Sequence, residues 1–229
     1  MRMTPPFYAI FDRRPQAAMS NIDHTLGMPK ALLGLALFAA TLAVLSCEGG
    51  GKPEGDGVAA PHLRPEARVE YYLNKEANDL TETVVRETFE RWGEATRFDF
   101  VYKGRHRAGL RKDGKNTVSF LVKWPSEIPI GKAAYCKNWY DRKGNIVESD
   151  IIFNMMATRF TTLRTNTPGS YYIEGILAHE IGHLIGIDHI EEEDCLMKSF
   201  SPQGESYFMG RIDEKTLGRY RELYAKKSE

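Results

Sequence analysis

The spacing of apolar and polar positions changes period several times along the chain. "RVEYYLN", Arg68 to Asn74, has the β-branched and aromatic content of a strand. In "NDLTETVVRETFERWGEA", Leu80, Val84, Phe89 and Trp92 recur near one face of a helix. Asp79 and Glu82 give it a capping-box-like start, and Gly93 lies near its stop. "RFDFVY" and "NTVSFLVKW" predict two further strands, and the basic segment between them, Lys103 to Lys115, reads as a solvated hairpin loop, with a binding surface for acidic partners as the alternative. "KAAYCKNWY" and "NIVESDIIFN" flank turn chemistry at Gly144 and Asn145, which predicts a hairpin with an inner second arm. Helical spacing returns with Ile173, Ile176, Leu177, Ile181 and Leu184, and Gly186 fits a helix-ending glycine. Leu217, Tyr220 and Tyr224 form a last stripe, with Asp213 as cap. The order predicts an α+β domain: a mixed, twisted sheet of about five strands with three main helices.

The front of the chain has a different texture. Ala31 to Leu45 is an unbroken apolar run behind Lys30, the length of a secretory h-region and short for a spanning helix. It ends in "VLSC", which resembles a bacterial lipoprotein signal with Cys47 as the lipidated mature N-terminus. A plain signal peptide and an uncleaved anchor are the other readings. Residues 1–27 carry mixed charge and no amphipathic pattern, so translation is expected to begin at Met28. The expected organisation is an upstream segment and signal at 1–47, a Gly- and Pro-rich tether at 48–66, and a folded domain at 67–229. His62 falls in that tether, where a solvated histidine is expected. Export across the inner membrane and anchoring at the cell envelope follow from the lipid reading, with an extracellular domain otherwise.

Charge narrows the function. The 31 Lys and Arg balance 31 Asp and Glu, so the basic excess of a nucleic-acid binder is missing. The six histidines are more telling, because three lie in "AHEIGHLIGIDH". His179 and His183 are four apart and share one helix face. Glu180 is rotated by about 100° from His179, beside a metal held there without being forced to bind it. A helix continued from His183 would carry His189 roughly 9 Å up the axis. A break at Gly186 lets the chain turn back and bring the third imidazole in. Three neutral nitrogens with a fourth position open is the arrangement of catalytic zinc. The full His-Glu-x-x-His-x-x-Gly-x-x-His pattern should arise by chance in only a few in ~10⁵ chains of this composition. Glu180 is the candidate general base, and His179, His183 and His189 are the candidate ligands of one zinc ion.

With these residues in hand, the chain resembles the metzincins, and among them the matrixins. Met197, eight residues past His189, resembles the methionine turn that forms an apolar floor under the metal. "ETFERWGEATRFDF", "SDIIFN" and "KTLGRYRELYA" resemble the first helix and second strand, the strand before the active-site helix, and the closing helix. The resemblance covers about residues 68–226 and implies a zinc-dependent endopeptidase acting on protein or peptide substrates, with a monomer expected. Lys198 and Ser199 stand where the family often has Tyr-Pro in the wall of its main specificity pocket, so substrate preference does not carry over. No cysteine-switch propeptide is visible, and His106 is a lone candidate for the family's second metal site. The resemblance also implies a substrate lying extended along a sheet edge, for which Ala133, Ala134 and Tyr135 are the candidates. Cys136 and Cys195 are read either as a disulfide joining that edge to the methionine turn or as two buried thiols. "EEED", Glu191 to Asp194, is read as a solvated loop, with calcium binding as the alternative. The alternative to an enzyme is a non-catalytic surface lipoprotein whose metal site stabilises a binding module. Glu180 argues against it, because a structural site has no use for that carboxylate.

Overall fold

The structure, a computed structural model, describes residue 64 and residues 68–163, 168–199 and 210–225. Cys47, the apolar run before it and nearly all of the expected tether lie outside the described residues. Seven strands and three helices run in the order β1 (Arg68–Asn74), α1 (Asp79–Ala95), β2 (Asp99–His106), β3 (Asn116–Leu121), β4 (Ala134–Tyr140), β5 (Ile146–Asn154), β6 (Phe160–Thr161), β7 (Tyr171–Tyr172), α2 (Ile173–Leu184) and α3 (Glu214–Tyr224). None of these helices is long and apolar enough to cross a membrane.

Five strands form one sheet in the order β2-β1-β3-β5-β4. β1 pairs in parallel with β2 and β3, β3 pairs in parallel with β5, and β4 pairs antiparallel to β5. The mixed five-stranded α+β architecture matches the sequence expectation, and so does the β4–β5 hairpin. The β2–β3 hairpin does not form, because β1 lies between those strands. Parallel neighbours need a crossover, and α1 supplies it between β1 and β2.

The segment after β2 is not a plain solvated loop either. Its backbone amides are held by two buried carboxylates of β5. Arg111 and Thr117 N–H donate to Asp150 at 2.8 and 2.9 Å, while Asp113 and Gly114 N–H both donate to Glu148 at 2.8 Å. Burial pushes the Asp150 carboxyl up to about 7, against the opposing pull of its two amide donors. His106 pairs with Asp113 at 3.0 Å, and among the described residues it joins no metal cluster.

α1 packs on one sheet face through Thr81, Val84, Val85, Thr88, Phe89 and Trp92. Leu80, expected on this face, is 49% exposed; Thr81 takes its place. The cap also sits one residue earlier than expected. Asn78 Oδ1 accepts from Thr81 N–H at 2.8 Å and fills one of the orphan donors of the first turn. In α3 the cap at Asp213 is as expected, but Thr216 joins Tyr220 and Tyr224 on the buried side while Leu217 is half-buried. Tyr71 stacks on Phe89 at 3.8 Å between sheet and α1, and Trp92 Nε1–H donates to the Ala178 carbonyl at 3.0 Å. That bond fixes α1 against α2, every residue of which is buried. Such a helix holds its side chains in single positions, as a reactive site requires.

Candidate metal centre

α2 carries His179, Glu180 and His183, and the chain then leaves the helix at Gly186. That residue has φ +86°, in the left-handed region open to glycine, so the expected break is present. The turn brings His189 back to the helix. Nε2 of His183 lies 3.1 Å from Nε2 of His179 and 3.2 Å from Nε2 of His189. Among the described residues these three form the only group of three or more His, Cys, Asp or Glu able to hold a metal.

Two of the rings are held from behind. Nδ1–H of His179 donates to the Leu196 carbonyl, and Nδ1–H of His183 to the Ile187 carbonyl, each at 2.7 Å. These bonds fix the tautomer and leave Nε2 with its lone pair facing inward. Lone pair against lone pair at 3.1 Å is repulsive unless a cation lies between. Tetrahedral zinc with bonds of about 2.0–2.1 Å needs ligand nitrogens roughly 3.3 Å apart. The donor set fits such an ion in type, tautomer and spacing.

Glu180 is fully buried. α2 packs against β4, whose Cys136 thiol is raised first by burial and next by the charge of the Glu180 carboxylate. β4 is an outer strand of the sheet. Ala134 pairs with Phe153, and the Ala133 carbonyl accepts from Asn154 N–H at 2.8 Å. The two alanines turn their side chains into the core, and Tyr135 packs on the other face against Trp124, Ile128 and Ile152.

Met197 is fully buried beneath α2. A Cβ added at Gly182 would come within 2.3 Å of its Sδ, so glycine is what lets the methionine approach. The Met197 carbonyl accepts from Ile190 N–H at 2.9 Å, and Leu196 N–H donates to Asp213 Oδ2 at 2.7 Å. The cap of α3 thus also fixes the segment that holds His179. Sequence reasoning found the cap and missed this second role. It missed Asn138 too, whose Nδ2–H donates to the His183 carbonyl at 2.9 Å; a polar residue in a buried strand is the signal that could have found it.

The expected Cys136–Cys195 bridge is not formed. Both are buried free thiols, near Asn138 Oδ1 and Thr216 Oγ1 respectively, each at 3.6 Å. The acidic run does not converge either. Lys215 pairs with Glu192 at 3.2 Å and Lys198 with Glu193 at 2.6 Å, which favours the solvated loop over calcium.

Burial depresses the pKa of His179 to about 4, and burial with the two neighbouring imidazoles takes His183 well below its ordinary value. A lowered pKa keeps the neutral, metal-binding form in acid. Two ordinary imidazoles of pKa about 6.5 would cost roughly 100-fold in zinc affinity between pH 7.5 and 5.5. Here His179 should cost almost nothing until the pH nears 4, and His183, also held well below its ordinary value, should add little at pH 5.5. Chelator competition across that range checks this, and a 100-fold or greater loss at pH 5.5 would contradict it.

A search among curated proteins returns no match to this chain. The family model for matrixin, peptidase M10, matches residues 64–225. That span covers well over half of the sequence and contains all three histidines, Glu180 and Met197, so the chain belongs to the matrixin family of zinc-using metallopeptidases.

Proposed function

We propose that this matrixin is an endopeptidase in which His179, His183 and His189 hold one zinc ion and Glu180 is the general base. The reading is carried by three ring nitrogens spaced at 3.1 and 3.2 Å, with a buried carboxylate next to the first of them on the same helix. A zinc ion held there supplies Lewis acidity, which brings the pKa of a water towards neutrality and polarises a carbonyl. Glu180 takes the proton of the attacking water on its carboxylate and passes it to the departing amine nitrogen. α2 packs against β4, so the proton moves close to where the substrate is proposed to lie. The peptide adds a strand along Ala133, Ala134 and Tyr135, with backbone hydrogen bonds giving affinity. Met197 supports the rings from below. Cys47 is proposed to carry a lipid that tethers the exported domain to the cell envelope.

Metal analysis with a peptide-library screen tests the proposal. The expected outcome is about one zinc per chain and cleavage at internal peptide bonds, lost to a chelator and restored by zinc. Bound zinc without cleavage would favour the binding-module alternative. A purified chain with no transition metal would overturn both.

A further inference from the structure

The last four carbonyls of a helix lack intrahelical partners, and three at the end of α2 are met by side chains from distant parts of the chain. Asn138 donates to the His183 carbonyl, and Tyr224 O–H donates to the Ile185 carbonyl at 2.7 Å. The Leu184 carbonyl between them accepts from Nε–H of Arg64 at 3.1 Å. Arg64 lies within the stretch whose composition predicts a loose tether, yet it is 5% exposed. Its Nη2 donates to Asn116 Oδ1 at 3.1 Å and to Ser149 Oγ. Ser149 O–H in turn donates to Asn138 Oδ1 at 2.6 Å. A continuous chain of donors thus runs from Arg64 through Ser149 and Asn138 to the carbonyl of a candidate ligand, His183.

These acceptors are all neutral. A guanidinium buried among them is costly, and burial lowers its pKa to about 10, which still leaves it charged at neutrality. An apolar side chain of similar volume would avoid that cost but would take this donor from the Leu184 carbonyl, Asn116 Oδ1 and Ser149 Oγ. What the cation does well is hold a helix C-terminus, where its charge meets the negative end of the helix dipole. The turn it holds carries Ile187, whose carbonyl orients His183, and Gly186, whose backbone directs the chain to His189.

Resting on the metal-centre reading above, we infer that Arg64 is a positioning residue for that centre. It locks the turn after α2, and it makes one residue ahead of β1 a working part of the site. In the full-length chain, Arg64→Met should weaken zinc binding by about 10- to 100-fold in chelator competition, the range for lost outer-shell partners. Amide exchange at Gly186 and Ile187 should quicken in the same variant. Arg64→Lys, which keeps the charge on a single donor nitrogen, should recover part of both. Val85→Ala, a core truncation in α1, should lower stability without changing zinc affinity while folded. Unchanged affinity in Arg64→Met would overturn the inference, as would an equal loss in Val85→Ala. If the wild-type chain binds no zinc, the metal-centre reading fails. Amide exchange then still tests the lock, which is refuted if Arg64→Met leaves Gly186 and Ile187 unchanged.

Discussion

Glu180→Ala is expected to keep its zinc and lose about 10³-fold in peptide turnover, the usual worth of a positioned general base. The two halves of this outcome come from different side chains. Metal retention depends on three imidazoles, two of them held by backbone carbonyls that the substitution does not touch. Turnover needs a proton acceptor, and Glu180 is the buried carboxylate adjacent to them on α2. His183→Ala is the contrasting variant, expected to lose metal and turnover together. Zinc content and initial rates on one peptide separate the cases. Glu180→Ala cleaving at close to the wild-type rate would remove it as the base; loss of its zinc would make it a ligand or a support instead.

Gly182→Ala sets two effects of opposite sign against each other. Helix propensity favours alanine over glycine by about 1 kcal/mol. The new Cβ, however, would lie 2.3 Å from Met197 Sδ and 2.9 Å from its Cε, in a site with no exposed surface to move into. Overpacking of this kind costs about 1–3 kcal/mol, and such close contacts belong at the upper end. The net expectation is a loss of about 1–2 kcal/mol, or roughly 2–8 °C in Tm. Zinc affinity should fall about 10-fold as well, because a displaced Met197 drags Leu196, whose carbonyl holds His179. Met197→Ala removes the obstruction, so in that background the alanine at 182 should be neutral or stabilising. A thermal-melt double-mutant cycle measures the coupling, and a coupling near zero would show that the contact is not what requires glycine.

The legible parts of the fold were those written in short-range pattern. β1, the hairpin of β4 and β5, and the run from Ile173 to Gly186 follow from residues within a few positions of one another. Pairing across the sheet is not written that way. β2 and β3 read as hairpin arms because they follow each other, whereas the parallel strand that separates them comes from before α1. The first helix shows a finer limit. Leu80 is the more apolar residue, but it is Thr81 that the fold buries. The candidate ligands were legible because all three fall in one segment with a diagnostic spacing. The groups that hold that segment in place were not. Arg64, Asn138 and the two ends of α3, Asp213 and Tyr224, come from three separate parts of the chain, and only the folded backbone brings them to the end of α2 and the methionine turn.

The compactness of that segment bears on how the centre is assembled. His179 to His189 closes a loop of only eleven residues, so the chain entropy lost in gathering the rings is small and much of it is already spent by the helix. Ion capture and release are then expected to need only a local opening around Gly186. Loading is then expected to be a late, reversible event on a finished scaffold, with the rings gathered before the ion arrives.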